Sequence, residues 1–119
     1  MPAVREIVAL LFPNSHFREL PGDVCLVAER SGVPVGFCHY RIREKTCYIA
    51  GLGVLAQYRE HGVGSKLMAE ALYHADRRGV QRTYLKVRAV NHAAKLYVNF
   101  GFYEKKAGDT ITLVRKRPS

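Results

Sequence analysis

Arg59, Gly62 and Gly64 stand in the run Arg59-Glu60-His61-Gly62-Val63-Gly64-Ser65, and their spacing is that of a loop able to hold an anion. Glycine lets a backbone come close to a ligand, and the first turn of a helix leaves amide hydrogens without intrahelical partners. A helix does follow. Val63, Leu67, Met68, Ala71, Leu72 and Ala75 recur at three- and four-residue intervals, while Lys66, Glu70, Arg77 and Arg78 fall largely outside that stripe. Free amides at such a helix start form a ready anion site. Two other glycine motifs fail here: the dinucleotide fingerprint needs a third glycine where Leu67 stands, and Gly62-Val63-Gly64-Ser65-Lys66 lacks the order of a Walker A loop. The plain alternative, a glycine-bearing turn between strand and helix, leaves the upstream arginine unexplained.

The elements that must position this loop can be read in order. Residues 4–12 carry a helical stripe of Val4, Ile7, Val8, Leu10 and Leu11 that Pro13 ends, and 14–23 reads as a loop with Phe17 and Leu20 against the core. Residues 24–29 and 35–42 are β-rich runs joined by the turn Arg30-Ser31-Gly32-Val33-Pro34, an antiparallel hairpin. After Arg43-Glu44-Lys45, residues 46–54 make a third strand that enters the loop. Gly79 caps the long helix beside Arg77 and Arg78. Residues 83–87 alternate as a strand, and a helix between two strands implies a parallel crossover. Asn91 is placed to cap a second helix that carries Ala94, Leu96, Tyr97 and Phe100 and closes at Gly101. Residues 102–105 and 110–115 finish as a hairpin about Ala107-Gly108-Asp109.

The 119 residues suffice for one domain, 1–119, with a modest core. The apolar runs are too short to cross a bilayer and the opening residues lack a secretory-signal pattern, so the expected setting is cytoplasmic, without a membrane. Cys25, Cys38 and Cys47 are odd in number and lack metal-ligand spacing, which suits reduced core residues and no metal site. Nineteen Lys and Arg against ten acids give a net charge of +9, a field that attracts anions in general. The cations are spread along the sequence without an aromatic-basic motif, which argues against nucleic acid as the partner.

The pattern Val54, four residues, Arg59-x-x-Gly62-x-Gly64, with its preceding strand and following helix, resembles the acyl-CoA-binding motif of the GNAT superfamily of N-acetyltransferases. A second run, Asn91-His92-Ala93-Ala94-Lys95-Leu96-Tyr97-Val98-Asn99-Phe100-Gly101-Phe102, is similar to the family's Asn, small residue, hydrophobe-Tyr, Gly-Phe segment, with Asn91 to Tyr97 one residue shorter than its commonest form. The resemblance implies an α/β fold: a mixed, mostly antiparallel sheet with one central parallel pair and helices on both faces. It covers nearly the whole chain except the family's first strand and first helix, whose absence leaves a sheet edge for a second subunit to cover as a homodimer.

It also implies acetyl-CoA as co-substrate and a primary amine, of a small molecule or a peptide, as acceptor. The amides of Arg59, Glu60, His61, Gly62, Val63, Gly64 and Ser65 would hold the pyrophosphate, with Asn91 as a further cofactor contact. Backbone groups of Leu52, Gly53 and Val54 would pair with the pantetheine arm, and an amide there would face the oxyanion. Tyr97 would be the general acid, since a phenol with pKa about 10 stays protonated at neutral pH and can donate to a departing thiolate. Many members carry a carboxylate on the strand before the loop, where this chain has Ala50 and Gly51. His39, Glu29 and Tyr48 are the candidate replacement bases. An enzyme is the leading expectation; a non-catalytic acyl-CoA-binding or regulatory module, favoured by Ala50 and Gly51, is the alternative.

Overall fold

Two tight turns set the architecture. Ser31 and Gly32 take φ of 52° and 78°, the left-handed pair that a two-residue hairpin turn requires. They join β1 (Asp23–Arg30) to β2 (Val33–Arg43). The computed structural model describes residues 22–88, 94–106, 108 and 110–118; the helix expected over 4–12, the loop residues up to 21, and Asn91 with His92 lie outside them. Val33 and Pro34, expected in the turn, belong to β2 instead, because two left-handed residues already reverse the chain. Pro34 pairs with Glu29 beside a break in the β1/β2 register, the kind of place where a strand tolerates a proline.

The second turn, with Glu44 at φ 55°, leads from Arg43 into β3 (Thr46–Val54). Then follow α1 (Val63–Arg77), β4 (Arg82–Arg88), α2 (Ala94–Asn99), β5 (Tyr103–Lys106) and β6 (Thr110–Lys116). The sheet order is β1-β2-β3-β4-β6-β5. Only β3 and β4 are parallel, joined through α1, while every other neighbouring pair is antiparallel. This is the mixed sheet that the sequence predicts.

The core lies between the sheet and α1. Val63, Leu67, Met68, Ala71, Leu72 and Ala75 of α1 are all buried, the stripe seen in the sequence, and truncating one of the larger ones would cost about 2–5 kcal/mol. Tyr40 of β2 faces this helix and hydrogen-bonds His74 Nδ1. Tyr97 of α2 and Phe102 join the same apolar cluster, so both described helices share the Tyr40 face. Beyond α1, Val80 N–H bonds Ala75 C=O at 3.0 Å, with Gly79 at φ 81°, a glycine-terminated helix end as expected.

Candidate active site

One extra residue in β3 creates the site. Ile49 pairs with Tyr40 and Gly51 with His39, so Ala50 is a bulge without a partner on β2. The parallel rungs to β4 run from Thr46↔Arg82 to Ile49↔Leu85 and stop there. Past that point β3 continues along β2 to Gly36↔Val54, while β4 continues along β6 through Lys86↔Thr112 to Arg88↔Thr110. The two strands part, and in the ladder residues 50–54 have no partner on the β4 side. Their amide hydrogens and carbonyls line a slot that an extended ligand carrying amides of its own could fill by strand-like pairing.

The mouth of the slot is the loop between β3 and α1. A single helical turn, Ala56–Tyr58, brings the chain around, and Glu60 and Gly62 take φ of 66° and 80°. Gly62 is the N-cap of α1, with no side-chain cap and no acidic residue in the first turn. The first intrahelical bond is Lys66 N–H to Gly62 C=O at 3.0 Å, which leaves the amides of Val63, Gly64 and Ser65 without helical acceptors. Arg59 is exposed and donates from Nε to Val54 C=O at 3.2 Å, so the arginine is tied to the end of the slot strand. A Cβ on Gly64 would stand 3.2 Å from Leu96 Cδ1 and 3.7 Å from Val54 Cγ2. The second glycine therefore serves the close meeting of α1, α2 and β3. His61, Glu60 and Ser65 are exposed along the loop.

Tyr97 follows Leu96 on α2 and is 5% exposed. Its ring meets Phe102 edge-on at 6.0 Å. Burial raises the phenol above its ordinary pKa, with Cys38 adding to the rise; the hydroxyl stays protonated across the physiological range. The structure thus gathers Leu52, Gly53, Val54, residues 59–65 and the helix of Tyr97 around one slot, whereas Asn91 lies outside the described residues.

The candidate bases separate. Glu29 lines a cleft of about 380 Å³ between β1 and α1, with Leu26, Val35, Val63 and Glu70, two strands from the slot. His39 is held at 2.7 Å by Asp23, which also binds Arg41 at 2.6 Å. Tyr48 sits one rung before the parting, on the face away from α1, its ring 4.9 Å from that of Tyr84. Over Gly51, one of the two residues standing where many GNAT members carry a carboxylate, a Cβ would lie 3.1 Å from the Phe37 ring, so an aromatic side chain fills that space. The Asp23–Arg41–His39 cluster escaped the sequence because only the hairpin register brings Asp23 opposite Arg41, and that register includes a shift at Ala28/Glu29 without which Asp23 would face Tyr40.

A parallel pair split by a bulge, with an uncapped helix start at the mouth of the split, defines the GNAT architecture. The chain belongs to the Acetyltransferase (GNAT) family, whose sequence model matches residues 4–102. It is 30% identical over 111 aligned residues to N-alpha-acetyltransferase 50 of Danio rerio, an alignment covering 83% of this chain and 66% of that protein, so the chain spans just under two thirds of that relative's length. An IAA acetyltransferase from Bacillus cereus superposes with a TM-score of 0.82 at 18% identity, covering 98% of this chain and 93% of the other. A chain of the NatC complex, solved bound to Gag peptide and CoA, superposes with a TM-score of 0.69 at 27% identity, covering 77% and 69%. Among the described residues no helix is long and apolar enough to cross a membrane, and no His, Cys, Asp and Glu cluster could hold a metal ion.

Proposed function

We propose that this chain transfers the acetyl group of acetyl-CoA to the α-amine of a peptide. The observation that carries the reading is the slot opening directly onto the uncapped start of α1, because one ligand with an anionic end and an amide-bearing arm matches both. The amides of Val63, Gly64 and Ser65, with those of Arg59, Glu60, His61 and Gly62, take the pyrophosphate. Arg59 swings from Val54 C=O to add its charge, and Asn91 is the further cofactor contact. Leu52, Gly53 and Val54 pair with the arm, and an amide of that segment faces the carbonyl oxygen as negative charge develops on it. The amine nitrogen bonds the acetyl carbon as the carbon–sulfur bond breaks, and Tyr97 gives its proton to the sulfur.

The acceptor's proton leaves through the Tyr48 hydroxyl to water. β2, β3 and β4 hold no carboxylate, so the acceptor must arrive largely neutral. An α-amine, with pKa about 7.7–8.0, meets that need far better than a lysine side chain near 10.4. Exposed Lys86, just past the last parallel rung, further disfavours a protonated amine beside it. The N-alpha-acetyltransferase and the peptide-bound relative support the same acceptor class. The three free thiols suit a reducing, cytoplasmic setting.

Acetyl-CoA at a hundredfold excess over its dissociation constant should stabilise the fold by about 2.7 kcal/mol, read as a rise in melting temperature. Free thiol should then appear only when a peptide with an open N-terminus is added. The filled space over Gly51 favours a second reading, a cofactor-binding module without turnover. A thermal shift with no thiol release from any amine would establish that reading instead.

A further inference from the structure

Cations far apart in the sequence share one row on one face of the sheet. Tyr40 turns toward α1, so Arg41 turns away, and cross-strand partners share a face while chain neighbours alternate. From Arg41 the register leads through Tyr48 and Tyr84 to Val114; two residues along, the next row reads Arg43, Thr46, Arg82, Lys116. Arg43, Arg82 and Lys116 are exposed. The ion pairs among the described residues are His39–Asp23, Arg41–Asp23 and Arg115–Asp76, so no described carboxylate neutralises the row. Arg82 and Lys116 are direct cross-strand partners, a like-charge arrangement that costs stability unless an anion lies over it.

The row also stands at a set distance from the slot. Ile49↔Leu85, the last parallel rung, is three residues from Thr46↔Arg82, about 10 Å at the rise of a strand. Among the described residues α1 and α2 lie on the other face. On this one, Ala50 and Lys86 beside the slot and Arg43, Arg82 and Lys116 of the row are exposed, which makes it the face over which the acceptor is placed. A peptide extended from the slot toward the row covers the same distance in three residues. Tyr48 and Tyr84, half-buried and set against each other, lie between as an apolar floor and do not offer the free ring faces that stack nucleic-acid bases.

Resting on the transfer reading above, we propose that the acceptor is a peptide with aspartate or glutamate at its third and fourth residues, held there by Arg43, Arg82 and Lys116. The test measures anisotropy of dye-labelled peptides with free N-termini on the CoA-saturated chain. Their sequences begin Ser-Ala-Asp-Glu, Ser-Ala-Ala-Ala and Ser-Ala-Lys-Lys. The acidic peptide should bind about tenfold tighter than the alanine one, lose that margin in high salt, and yield to the lysine peptide when Arg82→Glu and Lys116→Glu are combined. Retention of the CoA thermal shift certifies that the double variant is folded. Equal binding of the three peptides beside an intact CoA shift overturns this proposal alone, as does polyuridylate that binds the row and is not displaced by the acidic peptide. Absence of any CoA shift overturns the transfer reading and this proposal with it.

Discussion

The two halves of β3 lie on the same β2 neighbour and differ in what stands on their other side. Residues 46–49 are paired with β2 and β4 alike, whereas residues 51–54 are paired with β2 alone and Ala50 between them with neither. Cys47 and Ile49 of the first half are buried in the main core; Ala50 at the divide is exposed. One inserted residue therefore separates a stretch that holds the sheet together from a stretch whose polar backbone is left for a ligand. The parallel rungs end at Ile49↔Leu85, the pair immediately before that residue.

Deleting Ala50 should erase that difference and have the largest effect. The deletion restores simple alternation, leaving Gly51 opposite His39 and Leu52 opposite Cys38 on the core face. The ladder to β4 can then run on past Ile49↔Leu85 and close the slot, so the acetyl-CoA thermal response should vanish altogether. A deletion variant that still responds to acetyl-CoA would show that the bulge does not make the slot. Tyr97→Phe tests the chemistry at the open half. In a thiol-release assay kcat should drop by about 10²-fold, with little change in the thermal shift given by acetyl-CoA. Tyr48→Phe should lower kcat by less than that, and an equal or larger loss would move the main proton step to the acceptor side.

Gly64→Val drives methyl groups toward Leu96 and should cost about 1–3 kcal/mol in denaturant unfolding, together with loss of acetyl-CoA affinity. The smallest effect belongs to the closed half. Burial holds the thiols of Cys38 and Cys47 protonated, each raised from 9.0 to about 12. The unfolded chain loses these protons first, so their contribution to stability is whole below pH 9 and falls as pH climbs toward 12. Cys47→Ala should flatten that alkaline decline by up to about 1.4 kcal/mol per pH unit, and an unchanged slope would show that Cys47 is not part of it.

Much of this was legible before any coordinates. β3, the six-residue apolar stripe of α1, the glycine end of that helix and the parallel crossover follow from periodicity and turn chemistry that act within a few residues. The GNAT-like loop was recognisable for the same reason. What stayed hidden depends on register between strands. Ala50 gives no sign of being a bulge, Phe37 none of lying over Gly51, and Arg43, Arg82 and Lys116 look scattered until three ladders align them. The insertion of β6 between β4 and β5 was equally invisible, since a terminal hairpin can dock by either of its strands.

The contact of Gly64 with Leu96 makes the helix that carries Tyr97 a mechanical neighbour of the loop. α2 has six residues, too few to persist by themselves, so it borrows order from what it leans on. A ligand that stills the first turn of α1 should therefore slow amide hydrogen exchange along Ala94–Asn99 as well, even when it is desulfo-CoA, which has no sulfur to accept a proton. Protection along α2 by desulfo-CoA would mean that the proposed acid is ordered through phosphate contact at the α1 start and not through the thioester.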